Sequence, residues 1–354
     1  MPKQKDKFRT IGSEMRLRNI SVDDIDDIYY FETSQQTRTK SSRKQLHKGE
    51  QTLKSSVQLV RGCVVEVHSN NVYKVILDND VVSIAKLSGR LKYLVCETRN
   101  PICVGDLVNV DISDSENLRI EEILPRSNVL SRQIERKKVL FAANIDQIVV
   151  VVSVCEPKFS ASLIDRYISL ASIADISVSI CINKIDLQDD LASVTAECEY
   201  YRSVGIATIY TSVTTGQGID TLRENLKGKT SLFTGHSGTG KSSLINTLQP
   251  GLNLRIGDIS DFHSKGTHTT THSRMIAWSF GGYLIDTPGI KILGLADQDV
   301  SKLATGFPGF SLWSDKCAFV DCTHTHEENC AIKDRIDTEI PSERYMSYLN
   351  IRKG

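Results

Sequence analysis

Residues 230–248 read TSLFTGHSGTGKSSLINTL: an apolar run, a glycine-studded loop and a helical pattern in immediate succession. The loop, residues 235–242 (GHSGTGKS), matches G-x-x-x-x-G-K-[ST] in the strand-before, helix-after setting that a phosphate-binding loop requires. Gly235, Gly238 and Gly240 let backbone N–H groups curl around phosphates, with His236, Ser237, Thr239 and Ser243 completing the segment. Lys241 can set its ammonium against the β- and γ-phosphates, and Ser242 can ligate Mg²⁺.

This loop alone does not choose between ATP and GTP. The choice comes from Asn183-Lys184-Ile185-Asp186, at the end of the apolar run SVSICI. Asp186 can accept hydrogen bonds from the N1–H and exocyclic amine of guanine, groups arranged differently in adenine, and the Lys184 stem can cover the base. The position suits the task, because parallel sheets bind nucleotides at the carboxyl ends of their strands. Ser212 and Val213, after the run ATIY, can supply a backbone contact to the guanine oxygen.

Downstream, Asp286-Thr287-Pro288-Gly289 ends the run GGYLID. Asp286 can hold Mg²⁺ through water, and the Gly289 N–H can sense the γ-phosphate. Between these motifs lies GTHTTTH, residues 266–272, where one of Thr269, Thr270 and Thr271 is the natural Mg²⁺ and γ-phosphate contact of a switch. Spacing alone does not choose among the three. The base-reading motif precedes the phosphate loop here, whereas a Ras-like chain has it last. The sequence therefore predicts a circularly permuted Ras-like α/β GTPase, whose second switch runs directly into the C-terminal segment.

That segment carries Cys317, Cys322, His324 and Cys330, spaced C-x₄-C-x-H-x₅-C. Three thiolates and an imidazole make a closed tetrahedral zinc site with no open coordination position, a structural rather than catalytic centre. His326 is a competing ligand two positions on. The other six of the nine cysteines sit singly in apolar or mixed stretches and read as small buried hydrophobes.

Toward the N-terminus, residues 57–125 hold short β-rich runs: VQLVRGCVVEV, NVYKVIL, VVSIAKL, YLVCET and DLVNVDI. Five strands in that span fit a partly open barrel of the oligonucleotide-binding (OB) type. Residues 1–55 carry 12 Lys/Arg against 8 Asp/Glu and few clustered apolar positions, the composition of a disordered basic tail. The expected division is a 1–55 tail, a 56–126 barrel, a 127–142 linker, a 143–300 GTPase domain and a mostly helical 301–354 zinc-binding domain.

Over the whole chain 43 Lys/Arg balance 43 Asp/Glu, so no molecule-wide positive field exists to bind nucleic acid indiscriminately. No apolar run approaches the roughly 20 residues a membrane helix needs, which predicts no membrane partner. An odd cysteine count and an opening without the apolar core of a secretory signal predict a cytoplasmic setting. No coiled-coil heptads appear, and a monomer is expected.

The permuted order NKID, GHSGTGKS, GTHTTTH, DTPG, with a small β-barrel before it and C-x₄-C-x-H-x₅-C after it, resembles the RsgA (YjeQ) family of bacterial GTPases. The resemblance implies a factor that binds the small ribosomal subunit and its rRNA late in maturation, with GTP hydrolysis stimulated by the subunit. It puts a catalytic histidine at His268, with Lys241 as the second catalytic residue, and implies Mg²⁺ with GTP. The chain departs from the family pattern at Thr267, where arginine is common. Ile290 follows DTPG, so no glutamine orients water there, and slow intrinsic hydrolysis is expected. Two alternatives stay open: a GTP-switched RNA-binding assembly scaffold with negligible turnover, and a large-subunit assembly GTPase.

Overall fold

The structure, a computed structural model, describes residues 57–68, 71–92, 100–134, 137–188, 190–252, 273–286 and 300–353. The first five strands are β1 (Leu59–His68), β2 (Val72–Leu77), β3 (Val82–Leu87), β4 (Leu107–Asp111) and β5 (Leu118–Ile123). They pair in the order β1-β2-β3-β5-β4, and β4 pairs back onto β1, so the sheet closes into a five-stranded barrel. Alternation builds its core: Tyr73, Val75 and Leu77 of β2 and Ala85 and Leu87 of β3 turn inward onto Val108, Val110 and Ile120. Four of the runs expected from the sequence, VQLVRGCVVEV, NVYKVIL, VVSIAKL and DLVNVDI, carry β1, β2, β3 and β4. The run YLVCET falls on residues 93–98, outside the described residues, and the fifth strand is LRIEEI, whose alternating charges conceal a strand with Ile120 on the inside.

Residues 127–142, read from the sequence as a linker, contain most of a β-hairpin, β6 (Val129–Ile134) with β7 (Lys137–Ala143). The chain leaves the barrel under a clamp. Arg126 donates from Nε and an Nη to the two carboxylate oxygens of fully buried Asp106, at 2.6 and 2.8 Å. A paired, bidentate guanidinium offsets the cost of burying that carboxylate.

The second sheet contains β8 (Gln147–Ser153), β9 (Ser177–Asn183), β10 (Ala207–Tyr210), β11 (Thr230–Thr234), β12 (Arg274–Ala277) and β13 (Tyr283–Asp286), in the spatial order β10-β9-β8-β11-β13-β12. All neighbours are parallel except β12, which runs antiparallel to β13. Every residue of β8 is buried, as its unbroken apolar run requires of a strand covered on both faces. Ile148, Val150 and Val152 pack on one face and Val149 and Val151 on the other. After the one-turn helix α1 (Gly89–Lys92), the helices are α2 (Ala161–Ile173), α3 (Ala192–Ser203), α4 (Ile219–Leu226), α5 (Lys241–Leu248), α6 (Val300–Gly306) and α7 (Ser342–Lys353). The NKID motif starts at the end of β9 and the glycine-rich loop follows β11, so both lie at the carboxyl edge of one sheet despite the permuted chain order.

The sequence did not announce β12. It pairs with β1 of the barrel, Glu66 opposite Arg274, so barrel and GTPase sheet are continuous through this junction.

The C-terminal segment has its own apolar cluster of Leu303, Phe307, Phe310, Ile332, Ile340 and Tyr348. It is tied to the GTPase sheet through a buried polar knot. Arg344 of α7 donates to Asp165 of α2 at 2.9 Å and to the Tyr201 hydroxyl of α3 at 2.8 Å, and Tyr201 donates to Asp165 at 2.7 Å. Burial pushes the Asp165 carboxyl up to about 6 against the opposing pull of Arg344. Replacing Arg344 with Met leaves that carboxylate buried without its cation and should cost about 3–5 kcal/mol at pH 8. The folded variant then holds Asp165 protonated at a pH where the unfolded chain, near 3.9, is ionised, so its stability should recover as pH falls toward 5. Denaturant unfolding at the two pH values checks this; a deficit that is the same at both would contradict it.

Candidate nucleotide and metal sites

The phosphate loop leaves β11 at Gly235 with φ +133° and enters α5 from Gly240 with φ +92°. Both positions need glycine for space as well as for torsion. A Cβ on Gly235 would lie 2.0 Å from the Val151 carbonyl oxygen, and one on Gly240 2.4 Å from Asn183 Nδ2. His236, Ser237 and Gly238 are exposed, while Thr239, Lys241 and Ser242 are buried and Ser243 is half-buried. Lys241 Nζ donates to the carbonyls of Gly235 and His236 at 2.9 and 2.6 Å, which folds the ammonium back over the loop it would share with phosphates.

Asn183 links the two motifs. Its Nδ2 donates to the Thr239 carbonyl at 2.9 Å and its Oδ1 faces the Thr211 hydroxyl at 3.1 Å. The next residue, Lys184, takes φ +64°, which turns the chain sharply out of β9. Its Nζ donates to the Glu156 carbonyl at 2.6 Å, so the stem is held along the loop after β8. Asp186 is exposed, and a hydrogen bond from the Ser212 hydroxyl, with help from Thr214, holds its carboxyl below the usual range. It is therefore an acceptor at neutral pH. The amide of Ser212 donates to the Gln217 carbonyl at 3.0 Å, so Ser212 orients the acidic residue through its side chain, a role that motif spacing does not reveal. Val213 follows, half-buried and packed at the margin of the core.

Asp286 ends β13, directly beside the phosphate-loop strand, with Ile285 opposite Leu232. Its carboxylate, at the end of β13, and the Ser242 hydroxyl, in the first turn of α5 after the phosphate loop, are hard oxygen donors of the kind that suits Mg²⁺. The carboxylate already holds a cation, because Arg274 Nε donates to its Oδ2 at 2.9 Å. No motif signals Arg274; only the register of β12 on β13 brings it there. Gly289, His268, Thr269, Thr270 and Thr271 lie outside the described residues.

The second site is the cysteine–histidine cluster. The ligand atoms of Cys317, Cys322, His324 and Cys330 all lie within 4.8 Å of one another. Cys317 Sγ is 3.5 Å from His324 Nδ1 and 4.0 Å from Cys330 Sγ, and His324 Nδ1 is 3.4 Å from Cys330 Sγ. Tetrahedral zinc with sulfur at 2.3 Å spaces its sulfurs about 3.8 Å apart, so the donor set fits. Burial lowers the tendency of the His324 imidazole to take a proton and pushes the Cys322 thiol up to about 12. The Tyr345 hydroxyl donates to the His324 carbonyl at 2.8 Å and the Tyr348 hydroxyl to the Thr323 carbonyl at 2.7 Å, so α7 fixes the ligand loop. His326, the competing candidate, is exposed and turned to the Thr325 hydroxyl at 3.0 Å, outside the cluster.

Among the described residues no helix is long and apolar enough to cross a membrane.

Residues 123–296 match the family model described as RsgA GTPase. A small ribosomal subunit biogenesis GTPase RsgA from Bacteroides fragilis is 37% identical over 298 residues, covering 82% of this chain and 96% of the relative. Its counterpart from Thermotoga maritima is 36% identical over 294 residues, covering 82% and 95%. Among solved structures, YjeQ from Thermotoga maritima matches with a TM-score of 0.69 at 35% identity, covering 84% of this chain and 98% of that one. YloQ, described as a circularly permuted GTPase, matches with a TM-score of 0.65 at 28% identity, covering 85% and 96%.

Proposed function

The chain belongs to the RsgA family of GTPases, and from that premise we propose that it binds the small ribosomal subunit, assists its late maturation and hydrolyses GTP, with the subunit stimulating hydrolysis and hydrolysis timing release. The observation that carries this reading is the meeting of the NKID loop and the phosphate loop through Asn183, whose side chain joins β9 to Thr239. A guanine reader and a phosphate cradle held by one amide suit a single guanine nucleotide.

In this reading the amides of residues 235–240 and the Lys241 ammonium hold the phosphates. Asp186 reads the guanine edge under the Lys184 stem. Ser242, Asp286 and one of Thr269, Thr270 and Thr271 hold Mg²⁺, which neutralises phosphate charge when bound. Gly289 senses the γ-phosphate, and His268 is the proposed catalytic group. Cys317, Cys322, His324 and Cys330 hold one structural zinc. The divisions at 56–126, 143–300 and 301–354 act as barrel, GTPase and zinc-binding domains, the first and last gripping rRNA with residues 1–55 adding basic contacts. The protein works as a cytoplasmic monomer.

Hydrolysis of GTP, with ATP as control, measured alone and with small or large ribosomal subunits, tests the proposal. Slow GTP-specific turnover raised by small subunits alone is expected. Turnover indifferent to either subunit would favour a GTP-bound scaffold, and stimulation by large subunits would move the role to the other particle.

A further inference from the structure

Four charged residues stand directly opposite one another across four adjacent strands: Lys74 on β2, Glu66 on β1, Arg274 on β12 and Asp286 on β13. Opposed residues project their side chains from the same face, Cβ atoms about 4.5–5.5 Å apart. The row therefore alternates positive, negative, positive, negative, from the outside of the barrel to the carboxylate beside the phosphate loop. Its two outer pairs are closed. Lys74 Nζ lies 3.8 Å from Glu66 Oε2, and Arg274 Nε lies 2.9 Å from Asp286 Oδ2. Its middle step, Glu66 to Arg274, is the junction of barrel and GTPase sheet.

The Arg274–Asp286 pair is easily exchanged. Arg274 is 48% exposed and makes its contact through Nε, while the Asp286 carboxylate is 17% exposed, so the guanidinium is the partner free to swing toward solvent and leave the carboxylate in place. If Asp286 serves Mg²⁺, as the nucleotide reading above has it, guanidinium and metal compete for one carboxylate. A displaced Arg274 has a second carboxylate directly opposite it, on Glu66.

We propose that this row is a charge relay that couples metal occupancy at Asp286 to the outer face of the barrel. With the metal seated, Arg274 turns to Glu66, Glu66 gives up Lys74, and the Lys74 ammonium, 41% exposed, becomes available to a phosphate group. Coupling between two binding equilibria is reciprocal, so a phosphate held by Lys74 frees Glu66 to draw Arg274 off Asp286 and strengthens metal–nucleotide binding.

The test is a Mg²⁺ titration of the full chain's affinity for a fluorescent GDP analogue, which reads binding rather than turnover. Replacing Arg274 with Met should lower the Mg²⁺ midpoint by about fivefold, the upper end for an exposed pair, while Arg274→Lys should stay near wild type. Glu66→Gln should raise the midpoint and Lys74→Met should lower it, each by about twofold, since each acts one pair further away. In the Arg274→Met background both of those shifts should vanish, because the relay runs through Arg274. Shifts from Glu66 and Lys74 that persist there would mean that the charges act by direct field and would overturn the relay, as would unmoved midpoints in all single variants. Wild-type nucleotide binding that ignores Mg²⁺ would instead remove Asp286 from the metal site, and the relay with it.

Discussion

Stripping zinc from the purified chain should unfold the C-terminal segment while the barrel and GTPase sheet stay folded. The apolar cluster of Leu303, Phe307, Phe310, Ile332, Ile340 and Tyr348 includes Cys322 and Cys330 of the candidate metal site. Between α6 and α7 the described chain holds only short 3₁₀ turns and loops, with an isolated bridge between Ile336 and Ile340, so no ladder or long helix supports that stretch. In small zinc domains the metal's binding energy is the folding energy, about 10–16 kcal/mol near neutral pH. Docking through Arg344 recovers part of it here, but a cluster this size cannot keep four unligated polar groups at its centre. Two tryptophans make the outcome readable. Trp313 lies in the segment between Lys316 and Arg335, at 3.9 and 4.4 Å from the ring centre, whereas Trp278 is buried in the GTPase core against Phe233 and Phe280. On chelation, emission from Trp313 should shift while that of Trp278, isolated in a Trp313→Phe variant, should not. Cys330→Ser should act like the chelator. A chain that purifies without zinc and ignores the chelator would refute the site.

What was legible in the sequence was what is local. The phosphate loop, the NKID loop and the cysteine–histidine spacing are each contained within a few residues, and their chemistry fixes residue type position by position. The permutation was legible for the same reason, since it is only the order of local motifs. The apolar run SVSICI is the kind of segment a strand covered on both faces needs, and β8 is its fully buried neighbour. What was hidden is short or rich in charge, and its strands are recruited by the neighbours they pair with rather than by their own hydrophobicity. Strand β12 is four residues, RMIA, with an exposed arginine at its head; it pairs along its length with β13 and meets the barrel through one pair, Arg274 with Glu66, more than two hundred residues earlier. The β6–β7 hairpin was hidden by charge, since a two-stranded ribbon with one wet face can be dense in lysine and arginine. LRIEEI was hidden likewise, because closure of the barrel, rather than hydrophobicity, recruits it between β3 and β4. At the candidate site, spacing singled out Asp186 but not the Ser212 hydroxyl that donates to it, and Asp286 but not the guanidinium upon it.

Asp186→Asn should exchange the preferred base from guanine to xanthine. A carboxylate presents acceptors only, and guanine offers it two adjacent donors, the N1–H and the exocyclic amine. Xanthine carries a carbonyl where guanine has that amine, so against the wild-type chain it sets acceptor against acceptor. A site built to bond a polar group rejects the analogue that lacks the matching one by about 10⁴-fold, because the protein's own group is left desolvated and unpaired. An asparagine amide presents one acceptor and one donor, which complements the N1–H and carbonyl of xanthine and leaves the guanine amine facing another donor. The Ser212 hydroxyl sharpens the effect: it donates to Asp186, which keeps that residue an acceptor, and can still donate to the asparagine oxygen and orient the new amide. Asn183, Lys184 and the phosphate loop are untouched by the change, so total affinity for the matched nucleotide should be retained. Competition between GTP and XTP for the wild-type and variant chains measures the inversion directly. A variant that loses both nucleotides equally would make Asp186 a prop of the loop rather than its reader of the base, and a variant that still prefers GTP would remove NKID from the recognition of guanine altogether.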